Sequence, residues 1–125
     1  MKIVIVDDQE EFRESLKIVL SRIKDVEIIG EAADGQAFLD LLQDVVPDVV
    51  FMDIEMPGMN GIEATKRAAF TNKFMTIIAL TFHNDMSYVK EMIFSGARTY
   101  LVKDELSLQT LKNVLHDLND KAYVT

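Results

Sequence analysis

The sequence has no cysteine and no tryptophan, and only two prolines and five glycines in 125 residues. Without cysteine there is no disulfide framework and no thiolate chemistry. Proline and glycine are too sparse to build an interior linker, and no repeat or low-complexity stretch interrupts the chain. Cationic side chains are also scarce. The 13 Lys and Arg face 21 Asp and Glu, a net charge of −8 with a pI near 4.6. That balance argues against gripping nucleic acid or an anionic membrane unaided. Long apolar runs are missing as well: Val49-Val50-Phe51-Met52 is far short of the roughly 20 residues of a membrane span. The first residues reach Asp7-Asp8 too early for a signal peptide. The expectation is a soluble cytoplasmic domain.

What is present is enough apolar material, 49% of residues, to bury the core of one domain. Ile3-Val4-Ile5-Val6 is β-branched throughout and ends at Asp7-Asp8, the signature of a strand buried on both faces. Phe12, Leu16, Val19, Leu20 and Ile23 recur at helical spacing and predict a helix over residues 10–23. Val26 to Ile29 reads as a second strand closed by Gly30. Asp34-Gly35 marks a turn, and Phe38, Leu41, Leu42 and Val45 mark a helix ending before Pro47. Val49 to Met52 is the third strand, running into Asp53. Pro57-Gly58 breaks the chain, and Asn60 caps a helix to about Phe70. Met75 to Leu80 is the fourth strand, followed by a helix through Met86, Val89, Met92 and Ile93 that stops near Gly96. Thr99 to Val102 is the fifth strand, and Leu108, Leu111, Leu115 and Leu118 mark the last helix. Residues 1–120 form the domain. Residues 121–125 lack periodicity and read as a tail or the start of a linker. Five strands alternating with five helices predict an α/β fold, a doubly wound five-stranded parallel sheet.

Chemistry is expected where polar residues interrupt apolar strands. Strand one ends in Asp7-Asp8, strand three in Asp53, strand four in Thr81 and strand five in Lys103. Open α/β sheets place ligands beyond the carboxyl ends of the strands, where the winding reverses. A sheet ordered 2-1-3-4-5 would bring these ends together. Two carboxylates about 4 Å apart repel by roughly 4 kcal/mol at an effective dielectric near 20, so they must hold protons or a cation. Oxygen-only ligands favour a hard divalent ion, Mg²⁺ above all. Lys103 and the Thr81 hydroxyl could hold phosphoryl oxygens, and a carboxylate is an available nucleophile. Taken singly, each residue has a plainer reading: a cap, a strand-end hydroxyl, a surface charge. Their joint placement is what those readings do not predict. His83 and His116 have no His, Cys or acidic residue at metal-ligand spacing in the sequence and read as surface residues, the seven methionines as packing, and Glu10, Glu11 and Glu14 as a solvated helix face.

The motifs Val6-Asp7-Asp8, Met52-Asp53-Ile54-Glu55-Met56-Pro57-Gly58-Met59-Asn60-Gly61, Ala79-Leu80-Thr81 and Gly96-Ala97-Arg98-Thr99-Tyr100-Leu101-Val102-Lys103 together resemble the receiver domain of two-component response regulators. The resemblance covers nearly the whole chain and implies the flavodoxin-like 2-1-3-4-5 order, a topology already associated with a chemotaxis receiver. It implies that Asp53 is the phosphoacceptor, that Asp8 binds Mg²⁺ directly with Asp7 acting through water, and that Asp53 and the Glu55 backbone carbonyl complete the protein ligands. It further implies that Thr81 is the switch hydroxyl, Tyr100 the aromatic that follows it, and Lys103 the partner of the acyl phosphate. Glu55 and His83 sit where this family tunes loss of the phosphoryl group. Many receivers carry proline after the lysine, often in cis. Asp104 stands there instead, and because a cis bond before a non-proline residue costs about 2.5–4 kcal/mol a trans bond is expected. Tyr-Leu-Val-Lys-Asp is similar to the NarL/FixJ-type branch, whose members usually add a DNA-binding helix-turn-helix not found in these 125 residues.

The resemblance thus implies a phosphoacceptor domain rather than an enzyme. Its partner would be a sensor histidine kinase. Its output would be transcription through a separate DNA-binding domain or, as a stand-alone receiver, protein–protein interaction. A homodimer would use the fourth helix, fifth strand and fifth helix, or the first and fifth helices; no membrane is involved. Three rivals are weaker. An aspartate phosphatase typically needs a second Asp where Glu55 stands. A flavodoxin-like cofactor module lacks a phosphate loop after strand one. An unphosphorylated pseudo-receiver would not need the full set of acids with Thr81 and Lys103.

Overall fold

The computed structural model describes the backbone of residues 1–124 and all side chains except those of 84, 85 and 119–125. β1 (Lys2–Val6), β2 (Glu27–Ala32), β3 (Val49–Asp53), β4 (Thr76–Thr81) and β5 (Ala97–Val102) form one parallel sheet in the order β2-β1-β3-β4-β5. Between and after them lie α1 (Glu10–Leu20), α2 (Gly35–Leu41), α3 (Gly61–Thr71), α4 (Val89–Ser95) and α5 (Leu108–Val124).

The β-branched runs make a sheet covered on both sides because successive side chains leave a strand on opposite faces. Val4, Val6, Val50, Met52, Ile77 and Ala79 pack beneath α2, α3 and α4, against Phe38, Ala64, Ala68 and Met92. Their neighbours Ile3, Ile5, Phe51, Ile78, Leu80 and Leu101 pack beneath α1 and α5, against Leu16, Leu20, Leu111 and Leu115. Asp34 caps α2 by accepting the Ala37 N–H at 2.8 Å, and Asn60 caps α3 by accepting the Glu63 N–H at 3.0 Å. No helix among the described residues is long and apolar enough to cross a membrane.

Several boundaries depart from the sequence reading: α2 ends at Leu41, short of Val45, β5 begins at Ala97 rather than Thr99, and four others depart for a local reason. Gly30 does not close β2; the strand continues to Ala32, with a register shift opposite Ile3 and Val4. Gly30 is there because a Cβ would press against the Leu41 side chain of α2, at 2.8 Å. α1 stops at Leu20 rather than residue 23, because the N–H groups of Arg22 and Ile23 turn to the carbonyls three residues back. Met86, expected in the fourth helix, falls instead in a 3₁₀ turn that spans His83–Tyr88. His83, Asn84 and Asp85 are poor helix formers, so only the apolar second half becomes α4. α5 runs on through the residues set apart as a tail to Val124, while the side chains beyond Leu118 and residue 125 lie outside the described residues. No peptide bond is cis among the described residues, in line with Asp104 after Lys103.

The Pro57-Gly58-Met59-Asn60-Gly61 loop carries two glycines with different duties. A Cβ on Gly61 would collide with the backbone carbonyl of Asp53, whereas Gly58 faces open space at φ +72°. Gly61→Ala is therefore expected to lower stability by about 3 kcal/mol through backbone overlap, and Gly58→Ala by only about 1 kcal/mol through the left-handed conformation. Urea midpoints of the two variants against wild type measure the difference.

Candidate functional site

The sheet order places the carboxyl ends of β1, β3, β4 and β5 side by side. A cleft of about 150 Å³ lies there, lined by Asp8, Asp53, Glu55, Thr81, Phe82 and Lys103 among others. One carboxylate oxygen from each of Asp7, Asp8 and Asp53 lies within 4.8 Å of the others. Asp7 and Asp53 are buried and Asp8 is exposed. The buried Lys103 ammonium reaches between them, 2.6 Å from Asp7 Oδ2 and 3.2 Å from Asp53 Oδ1. When all ionise, three carboxylates face one ammonium.

Asp53 records this crowding. Burial raises its pKa from the usual value near 3.8 to about 7, the Asp7 charge adds to the rise, and Lys103 opposes it. Asp7 Oδ2 is close to Lys103 but off the line of a hydrogen bond, and it accepts none. Three carboxylate oxygens within 4.8 Å of one another, with one ammonium to offset them, fit a hard divalent cation.

The loops hold these groups from behind. Asp7 Oδ1 accepts the Gln9 N–H at 2.9 Å, and Arg13 Nη1 donates to the Asp7 carbonyl at 2.6 Å. Arg13 Nε is in turn paired with Glu31 at 3.0 Å. Glu31 also meets Lys17, whose hydrogen bond holds the Glu31 carboxyl below the usual range. The rings of Phe12 and Phe82 lie 4.9 and 5.0 Å from Lys103 Nζ, near enough for cation–π attraction. Sequence reading took Phe12 only as core and missed Phe82, Gln9 and Arg13. The sole signal was position: Phe82 follows Thr81, and Gln9 follows Asp8.

Of the residues singled out from sequence, Asp7, Asp8, Asp53 and Lys103 converge, and Thr81 and Glu55 line the same cleft. Thr81 is buried, and its Oγ1 donates to the Phe82 carbonyl at 3.2 Å. Tyr100 is not in the cleft. It sits on β5, 39% exposed, and borders a separate hollow against α5. Thr81 pairs with Val102 and Ala79 with Tyr100, so Tyr100 is the diagonal neighbour of Thr81 on the same face of the sheet. His83 is an exposed residue as expected, but it is not isolated: its ring nitrogens lie 3.8 Å from Asp104 and 3.3 Å from Glu105.

The response regulator receiver domain family matches residues 3–116. The transcriptional regulatory protein DegU of Brevibacillus brevis is 36% identical over 104 residues, which are 83% of this chain and 44% of DegU. The transcriptional regulatory protein LiaR of Bacillus subtilis (strain 168) is 40% identical over 103 residues, 82% of this chain and 49% of LiaR. The solved signal receiver domain of NarL from Mycobacterium tuberculosis superposes with a TM-score of 0.80 at 32% identity, covering 92% of this chain and 93% of that one. The chain spans about half the length of the curated relatives it matches.

The raised Asp53 value has a sign that can be measured. The folded chain holds this proton more tightly than the unfolded one. The resulting stability is present below about pH 3.8 and is lost as pH rises through about 7. Asp53→Asn removes the effect. In EDTA the variant is expected to gain on wild type progressively between pH 4 and 7, ending about 1–3 kcal/mol more stable at pH 8. Urea denaturation across that range checks it; a gap that stays constant or closes as pH rises contradicts the charge crowding.

Proposed function

The chain belongs to the response regulator receiver domain family, and on that premise we propose that it accepts a phosphoryl group from a histidine kinase on Asp53 and uses the product to control transcription. The observation that carries this reading is the convergence of Asp7, Asp8, Asp53 and Lys103 at the carboxyl edge of the sheet. The DNA-binding part would be a separate domain; the curated transcriptional regulatory proteins DegU and LiaR are matched by this chain over only about half of their length. A −8 chain needs such a domain to meet DNA. The same reading puts the protein in the cytoplasm, and a homodimer would form through α4, β5 and α5 or through α1 and α5.

Mg²⁺ would be held by Asp8, Asp53 and the Glu55 backbone carbonyl, with Asp7 acting through water. When bound, it would offset negative charge on the carboxylates and on the arriving phosphoryl oxygens. The chain's own groups do the rest. The ionised Asp53 carboxylate attacks phosphorus in line with the bond to the kinase imidazole. The P–N bond breaks, its electron pair returns to the imidazole nitrogen, and an acyl phosphate forms on Asp53. Lys103, clamped by Phe12 and Phe82 and already 3.2 Å from Asp53 Oδ1, meets the charge spread over the phosphoryl oxygens. Asp53 is left modified, so this is phosphoacceptance rather than turnover of an outside substrate. Glu55, which lines the cleft, and His83 would tune the later attack of water.

The switch follows from a change of partner. Thr81 Oγ1 has one 3.2 Å hydrogen bond to a neighbouring carbonyl, and a phosphoryl oxygen offers a charged acceptor about twice as strong. Thr81 turns toward it, and the half-exposed Tyr100 ring takes up the vacated space. Moving such an equilibrium from 1:99 to 99:1 takes about 5.5 kcal/mol of differential stabilisation.

Two measurements test the proposal. With Mg²⁺ and acetyl phosphate, intact-mass spectrometry is expected to find one added phosphoryl group on wild type and none on Asp53→Asn; equal labelling of both removes Asp53 from its role. Thr81→Ala should still accept phosphate but lose the change in amide exchange at Tyr100 that wild type shows. An undiminished change there overturns the Thr81 switch.

A further inference from the structure

The longest-exposed apolar side chains lie far from the cleft. Phe70, Phe74 and Phe94 are 91%, 95% and 84% exposed, although a phenylalanine ring gains most from burial. α3 begins beside Asp53 and runs 11 residues away from it, about 16 Å at the helical rise. Phe70 and Phe74 flank its far end, and Phe94 lies at the far end of α4. Between Phe70 and Phe94 is a hollow of about 520 Å³, lined also by Lys66, Lys73 and the half-buried Ala69 and Ser95.

Charge says what fits there. Four cations of this acidic chain are engaged elsewhere: Arg13 and Lys17 with Glu31, Arg67 with Glu63, Lys103 with Asp7 and Asp53. Lys66 and Lys73 line the hollow and enter none of the ion pairs among the described residues. An apolar hollow rimmed by two unpaired ammonium groups is complementary to an apolar side chain flanked by carboxylates. We propose that the hollow between α3 and α4 is a docking site for an acidic amphipathic segment of a partner protein. The segment inserts an apolar anchor between Phe70 and Phe94 and sets its carboxylates against Lys66 and Lys73.

The same observations disfavour other occupants. A second copy placed patch to patch would oppose four lysines. A DNA-binding domain is basic and would be repelled by the same two. An anionic bilayer would meet the lysines, but the chain as a whole carries −8, and a hollow lined by Ala69 and Ser95 between two exposed rings suits an inserted side chain better than a flat surface. Docking here leaves the Asp53 cleft open, so a partner can be bound while phosphoryl transfer proceeds.

The test titrates ¹⁵N-labelled protein with a helical peptide of Leu at positions i, i+3, i+4 and i+7 and Glu elsewhere. Amide shifts are expected at the far ends of α3 and α4, weakening as salt is raised. The same peptide with Lys for Glu should leave them unmoved. Phe70→Ala/Phe94→Ala should weaken binding at least tenfold, and so should Lys66→Glu/Lys73→Glu. All four positions are exposed, so both variants should unfold at the wild-type urea midpoint, and that midpoint is measured alongside. No shifts, equal shifts with the Lys peptide, or shifts centred elsewhere overturn the proposal. So does stronger engagement of phosphatidylglycerol vesicles at this patch, which would make it a membrane surface, or concentration-dependent dimerisation abolished by Phe70→Ala/Phe94→Ala.

Discussion

Three carboxylates crowded around one buried ammonium are the constraint on which the rest of this molecule depends. Asp7 and Asp53 come from strands separated by more than 40 residues of sequence, and Lys103 comes from the opposite end of the domain. Burying them together is unfavourable unless the geometry is fixed and the charge is met. The surrounding structure fixes the geometry. Gly61 lets α3 start against the Asp53 carbonyl, Arg13 and the Gln9 N–H hold the turn that carries Asp7, and two aromatic rings sit against the lysine. The charge is not fully met, as the raised Asp53 value records. A site left in this condition favours whatever supplies positive charge, and then whatever negative group that charge can hold.

The two-sided sheet explains how an event in the cleft could be felt elsewhere. Alternate residues of each strand serve different helix layers, so a side chain that moves at the end of β4 disturbs one layer before the other. Thr81 and Tyr100 lie diagonally on one face, which gives a short physical route from the cleft toward α4 and α5. The apolar hollow at the far ends of α3 and α4 belongs to the opposite edge of the same layer, where an occupant would not obstruct the cleft.

Much of this was legible in the sequence because its signals are local. β-branched runs ending in Asp7, Asp53, Thr81 and Lys103 announced the strands, and the 2-1-3-4-5 order, which the family resemblance implied, is the one that brings their ends together. What could not be read depends on contacts between distant segments. Gly30 looks like a stop in one dimension but is a point of close approach to Leu41 in three. Phe12 scores as core at helical spacing, yet its ring also faces the Lys103 ammonium. Arg13 looks like any surface cation of an acidic helix until its guanidinium is found on the Asp7 carbonyl. The apolar positions 86, 89, 92 and 93 gave a helix its existence but not its start, because His83, Asn84 and Asp85 favour a tighter turn.

The central claim is that the acidic groups are held in mutual repulsion that a divalent cation relieves. A ¹³C NMR titration of the Asp53 carboxyl carbon, run in EDTA and again in saturating Mg²⁺, tests it most directly. The account predicts an apparent pKa near 7 without the cation and a fall of about two units or more with it. An ordinary carboxylate value in EDTA, or a value that Mg²⁺ does not move, would contradict it.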